Sequence, residues 1–143
     1  MIAVWAVFVQ TAYNQPLPAK TSHSIIIDTD CAVDDLRAIS MLVSRPEITV
    51  KAILISDGSL QPRAGYNKVL ALLHMFSSEK IPVGCGEKVE GTGPGWRSFA
   101  ASVKWGTDEG DIEPARNAVS LLEETLQVSP DKTSLVCLGP LTN

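Results

Sequence analysis

Apolar and polar positions along this chain switch repeatedly between two periods. Residues 24–28 contain Ile25-Ile26-Ile27, three β-branched residues in a row, as expected of a strand buried on both faces of a parallel sheet. From Asp34 the spacing lengthens: Leu36, Ile39, Leu42 and Val43 share one helical face, and Pro46 ends that helix. Residues 48–56 predict a second strand and Asp57-Gly58-Ser59 a turn. Residues 63–76 predict a helix with Val69, Leu70, Leu72, Leu73 and Phe76 in the core. A short third strand is expected at 81–84, then a loop at 86–95 rich in glycine and polar residues. Residues 98–104 predict a short helix. Residues 113–128 predict a longer one, with Ala118, Leu121, Leu122, Thr125 and Leu126 facing inward. A fourth strand is expected at 134–138. Strands alternating with helices predict an α/β fold, an open, mostly parallel sheet with flanking helices. No internal repeat or low-complexity tract interrupts it.

The candidate chemistry sits where the first strand should give way to the first helix. Asp28, Asp30, Asp34 and Asp35 fall within eight residues there. In open α/β sheets, ligands bind outside the carboxyl ends of the strands. Carboxylates this close repel unless a proton or a cation relieves them. A hard divalent cation held by oxygen ligands, beside a bound substrate, is the economical explanation. Each acid alone also reads as a helix cap or a solvated turn residue. An EF-hand fits poorly, because counting from Asp28 puts Val33 and Ile39 where that loop needs glycine and glutamate.

The pattern Asp-x-Asp-x-x-x-Asp-Asp after a hydrophobic strand resembles the calcium-binding signature of the inosine-uridine preferring nucleoside hydrolases. The likeness continues through Leu36-Arg37-Ala38-Ile39 and returns in Leu138-Gly139-Pro140-Leu141-Thr142-Asn143, similar to the family's second calcium-site turn. Two motifs in the right order are more specific than either alone. The resemblance implies a nucleoside-hydrolase-like, Rossmann-like fold and hydrolysis of the N-glycosidic bond of ribonucleosides to ribose and free base. It implies calcium (Ca2+) as cofactor, with Asp30, Asp35 and the Leu138 carbonyl as ligands. By the same resemblance Asp30 is the general base, Asp34 binds the ribose hydroxyls, and Asp28 supports the ligands from behind.

The chain departs from the family pattern in three places. Cys31-Ala32 stands where the family usually has Pro-Gly. Gly58 falls where a sugar-binding asparagine is usual, so Asp57 or Ser59 is expected to replace it as a substrate contact. Val103-Lys104-Trp105-Gly106 is the nearest match to a family Val-His-Gly segment. Trp105 reads either as a stacking surface for the base or as a lid residue packed on the core, and Trp96 carries the same two readings. The resemblance spans 24–143 and only the amino-terminal part of a family domain, so the carboxyl-terminal part is expected to be missing. The family draws a further calcium-binding aspartate and a leaving-group histidine from that part. His23 and His74 do not replace them, and the isolated chain is expected to be inactive.

Two other classes remain open at this stage. Asp28-Thr29-Asp30 also fits a haloacid-dehalogenase-type phosphatase, although Asp34-Asp35 is then unexplained. A non-catalytic, calcium-dependent sugar- or nucleoside-binding protein is the third reading.

Composition narrows the partners. The 143 residues carry a net charge of −4 and no basic run, which argues against a nucleic-acid partner or an anionic membrane surface. A ribonucleoside or related ribosyl molecule is the expected ligand. No stable membrane span is expected. Residues 1–15 are apolar up to Val9 and then polar, which reads as a signal-peptide remnant without its basic start, or as an extra strand or buried arm. Residues 16–23 read as a linker and 24–143 as the domain portion. If the first run is a signal the protein is exported, periplasmic or secreted; otherwise it is cytoplasmic. Cys31, Cys85 and Cys137 lack metal-ligand spacing and read as small apolar residues near strand ends. Apolar surface left open by a partial domain makes a homo-oligomer one expected state.

Overall fold

The computed structural model describes residues 22–91, 93–106, 112–114, 116–129 and 132–143. The expectations for 1–15, and for most of the linker at 16–23, lie outside the described residues. Four strands, β1 (His23–Thr29), β2 (Ile48–Ile55), β3 (Val83–Cys85) and β4 (Thr133–Cys137), form one sheet in the order β3-β2-β1-β4. Every pairing is parallel. The helices are α1 (Val33–Val43), α2 (Pro62–Met75), α3 (Arg97–Ser102) and α4 (Ala118–Val128).

β1 lies between β2 and β4, and its last five residues, Ile25 to Thr29, are all buried. That explains the unbroken Ile run: a central parallel strand has no solvent face. Alternate residues feed two layers. Ile25, Ile27, Ile53 and Ile55 pack with Leu36 and Ile39 of α1 and Val69, Leu72 and Leu73 of α2. Ile26, Ala52 and Leu54 pack on Ala118 and Leu121 of α4. The register of β1 on β2 slips between Ile25 and Ile26, which pair with Val50 and Ala52.

Helix ends follow local chemistry. α1 opens with Asp34 and Asp35 in its first turn, where negative charge meets the positive end of the helix dipole. α2 opens on Pro62, whose fixed φ and missing N–H suit a first turn. α4 begins at Ala118, not at 113. The Asn117 side chain accepts from Val119 N at 2.9 Å and Ser120 N at 3.3 Å, and this cap sets the start.

Other expectations need smaller corrections. β3 runs Val83–Cys85, two residues later at its start, because Ile81 N turns back to Ser78 O. α3 ends at Ser102. His23 is the first residue of β1 rather than a residue before it. Phe76 is exposed just past α2, and Leu126 is 52% exposed because the buried side of α4 is formed by Ala118, Leu121 and Thr125, with Leu122 packed beside them. Of the cysteines, all free thiols, only Cys31 is buried; Cys85 is half-buried and Cys137 exposed. Among the described residues no helix is long and apolar enough to cross a membrane.

Candidate functional site

The carboxyl ends of β1, β2 and β4 converge on one acidic cluster. Asp28, Asp30, Asp35 and Asp57 are all buried, at 3%, 8%, 6% and 6% exposure. Asp34 points outward from the first turn of α1 and is exposed.

Each buried acid has distinct partners. Asp28 is saturated: Oδ1 accepts from Ser56 Oγ at 3.1 Å and Oδ2 from Asn143 Nδ2 at 2.7 Å. Burial raises its pKa above the usual carboxylate value, those two bonds oppose the rise, and Asp30 adds to it. Asp30 Oδ2 accepts from Ser59 N at 2.7 Å. Asp35 Oδ2 accepts from Thr29 Oγ1 at 2.8 Å. Burial pushes the Asp35 carboxyl up to about 7; the Thr29 hydroxyl opposes this, while the hydrogen-bonded Asp30 and the nearby Asp34 reinforce it.

The turn between β1 and α1 has an unusual backbone. Cys31 has φ 61°, in the left-handed region, with its N–H donating to Thr29 Oγ1 at 2.9 Å. Proline cannot adopt that φ or donate that bond. The Cys31 side chain is buried against Gly65 of α2, where an added Cβ would come within 2.8 Å of its sulfur. Burial raises the thiol's pKa.

The two motifs that are distant in sequence meet here. Leu138 N donates to Asp28 O at 2.9 Å. A Cβ on Gly139 would lie 2.7 Å from Asp30 N, so only glycine lets this turn rest on Asp30. Thr142 reaches the β2 turn, where Asp57 N donates to its Oγ1 at 3.0 Å.

The residues present fit a hard cation. Asp30 and Asp35 bring buried carboxylates together, no basic side chain among the described residues is bonded to either, and the 138–139 turn lies against Asp30. Among the described residues no three Asp, Glu, His or Cys side chains gather to hold an ion by themselves. Two buried carboxylates beside a main-chain turn offer the all-oxygen surroundings that a hard cation takes.

The expected substrate contacts divide. Ser59 is buried beside Asp30 through its N–H, and its Oγ accepts from Trp96 Nε1 at 3.3 Å. Trp96 is 62% exposed, an open aromatic face at the edge of the acidic cluster. Both Asp57 carboxylate oxygens are occupied, Oδ1 by Arg97 Nη2 at 2.8 Å and Oδ2 by Val89 N at 2.8 Å. Trp105 lies elsewhere. It packs on the core and lines a cavity of about 760 Å³ between α2 and the end of α3, whose walls include none of the four acids. Its buried Nε1 has no hydrogen-bond partner among the described residues. Arg97 and Thr142 carry contacts that sequence reasoning missed. A lone arginine just after a glycine-rich loop and the Thr142-Asn143 pair were the only signals of them.

Fold and site together define an open parallel α/β protein with an acidic centre at the ends of its middle strands. The inosine-uridine preferring nucleoside hydrolase model matches residues 25–143, and the chain belongs to that family. It is 33% identical over 129 residues to the pyrimidine-specific ribonucleoside hydrolase RihA of Salmonella arizonae, covering 83% of this chain and 40% of that protein. It is 28% identical over 128 residues to uridine nucleosidase 1 of Arabidopsis thaliana, covering 85% of this chain and 38% of that one. Among solved structures, it superposes on the plant nucleoside hydrolase PpNRh1 with TM-score 0.69 and 27% identity, over 84% of this chain and 40% of that one. A purine-preferring ribonucleoside hydrolase from Gardnerella vaginalis shares the fold, with TM-score 0.71 at 21% identity, over 83% of this chain and 41% of the other. The chain thus spans about 40% of the length of these relatives. Family membership supports a hydrolase and displaces the phosphatase reading of Asp28-Thr29-Asp30.

Proposed function

We propose that this chain supplies the cation- and ribose-binding portion of a ribonucleoside hydrolase. The observation that carries the reading is the buried Asp30–Asp35 pair with the Leu138–Gly139 turn resting on it. Asp30, Asp35 and the Leu138 carbonyl hold the ion, and calcium suits their all-oxygen chemistry. When bound, it supplies a positive charge that orients sugar hydroxyls and water. Asp30 accepts the proton of the attacking water. Asp34, exposed at the mouth, accepts hydrogen bonds from the ribose hydroxyls. Asp28, already saturated by Ser56 and Asn143, holds the turns together rather than reaching the ligand. The carboxylates favour positive charge developing at the anomeric carbon.

Ser59 and the face of Trp96 border the sugar and the base. Asp57, committed to Arg97 and Val89, shapes the turn. His23 opens β1 and His74 lies in the last turn of α2, so neither described histidine stands at the acidic cluster, and the isolated chain is expected to be inactive.

A chimera tests this reading. Residues 25–143 replace the matching part of the Salmonella arizonae relative, and ribose release from uridine and inosine is followed with and without calcium. Calcium-dependent release that disappears in Asp30→Asn is expected. Nucleoside retained without turnover would favour the non-catalytic binding protein. Neither retention nor release, in a folded chimera, would overturn the proposal.

A further inference from the structure

We propose that Arg97 is a positioning residue for the acidic site, acting through Asp57. The clamp is geometry; only its effect on ion binding rests on the function proposed above. Arg97 Nη2 donates to Asp57 Oδ1 at 2.8 Å and to Gly58 O at 2.6 Å. Its Nε donates to Gly58 O at 3.1 Å. The guanidinium therefore grips both the side chain and the main chain of the turn after β2. The pair is sheltered, with side chains 22% and 5% exposed, so solvent screens it weakly.

Asp57 is also where three chain segments cross. Its Oδ2 accepts from Val89 N at 2.8 Å and so holds the 86–96 loop. Its backbone N donates to Thr142 Oγ1 at 3.0 Å, and that hydroxyl returns to Asp57 O at 3.2 Å. Two residues on, Ser59 N holds Asp30 Oδ2 at 2.7 Å. One segment thus reaches Asp30 and another continues from the Leu138–Gly139 turn. Two of the three proposed ligands, Asp30 and the Leu138 carbonyl, are thus tied to the turn at Asp57, and Arg97 is the only salt-bridge partner of that residue among the described residues.

Arginine suits the task because its planar fork meets two acceptors in fixed geometry, whereas a lysine ammonium is a single flexible point charge. Without Arg97, the Asp57 carboxylate stays buried and loses its counter-charge. The turn is then expected to shift toward water, taking the Ser59 N–H away from Asp30.

The test uses the full chain and two readouts. Amide hydrogen exchange is followed by NMR in wild type, Arg97→Ala, Arg97→Lys and Asp57→Asn. Ser59 and Val89 are expected to exchange about ten-fold faster in Arg97→Ala, less so in Arg97→Lys, while Ile27 and Ile53 in the sheet stay protected. Calcium titration calorimetry is expected to show affinity about 10- to 100-fold weaker in Arg97→Ala, with partial recovery in Arg97→Lys. Arg116→Ala, which breaks only an exposed pair with Glu124, is expected to change neither readout. Wild-type exchange at Ser59 and Val89 in Arg97→Ala would overturn the proposal, as would unchanged calcium affinity once those amides are freed. If Arg97→Ala does not fold, Asp57→Asn decides by the same criteria. If wild type takes up no calcium, the ion reading fails by itself, and exchange alone decides the positioning role.

Discussion

Gly58→Ala should disrupt this site by steric means alone. A Cβ at position 58 would lie 2.6 Å from Asp30 Cβ and 2.8 Å from its Cγ, and closer still to Oδ2. Rotating the carboxylate cannot relieve the contact, because the Asp30 Cβ is fixed to the main chain. Either β1 or the β2 turn must move, and the 2.7 Å bond from Ser59 N to Asp30 breaks. A hydrogen bond to a charged group is worth about 1.5–3 kcal/mol. Overpacking in a tight site costs about 1–3 kcal/mol more. The expected loss is about 3–5 kcal/mol, a fall in Tm on the order of 10 °C for a domain of this size. Urea unfolding followed by circular dichroism measures it. A double-mutant cycle with Asp30→Gly isolates the cause, since that change removes both clashing carbons. In the Asp30→Gly background, Gly58→Ala is expected to cost less than about 1 kcal/mol. A Gly58→Ala protein as stable as wild type, or an equal cost in both backgrounds, would show that the contact with Asp30 is not the cause. The same clash bears on the family's usual asparagine at this place: Asp30 here occupies the room such a side chain needs.

Two further predictions concern the β1–α1 turn. Cys31→Pro, which restores the family's usual residue, is expected to destabilise by about 3 kcal/mol or more, because φ is 61° and the N–H is bonded to Thr29; an unchanged urea midpoint would contradict this backbone. In metal-free protein, Asp35 has its pKa raised from 3.8 to about 7, so the folded state holds that proton more tightly than the unfolded chain. The stabilisation from this group is complete below the unfolded value and is lost as pH rises through about 7. Urea unfolding in chelator between about pH 4 and pH 8 is expected to show this decline, and Asp35→Asn to flatten it.

Much of the scaffold was legible because its signals are local. A triple β-branched run marks a buried strand, and the acids of Asp-x-Asp-x-x-x-Asp-Asp mark the turn at its end, where Asp28, Asp30 and Asp35 are buried. The start of α4 was misread because the charged and apolar spacing extends back to Glu113, while the Asn117 cap wins the competition. Leu126 fits the helical face but lies beyond the part of α4 that meets the sheet. The clamp at Asp57 was illegible for a different reason. Its partners Val89, Arg97 and Thr142 come from a loop, the first residue of the short α3 and a turn after β4, and only the folded sheet brings them together. Trp105 matched a family segment by position, yet it lines a cavity with Asn67, Lys68 and Ala71 of α2, apart from the acidic cluster.

Calcium titration calorimetry on the folded 143-residue chain, beside Asp30→Ala and Asp35→Ala, decides whether the two buried carboxylates hold a cation. Saturable binding is expected from wild type, lost in both variants while circular dichroism remains that of the folded sheet. Absence of binding in a folded wild-type chain, or binding that survives both substitutions, would contradict it.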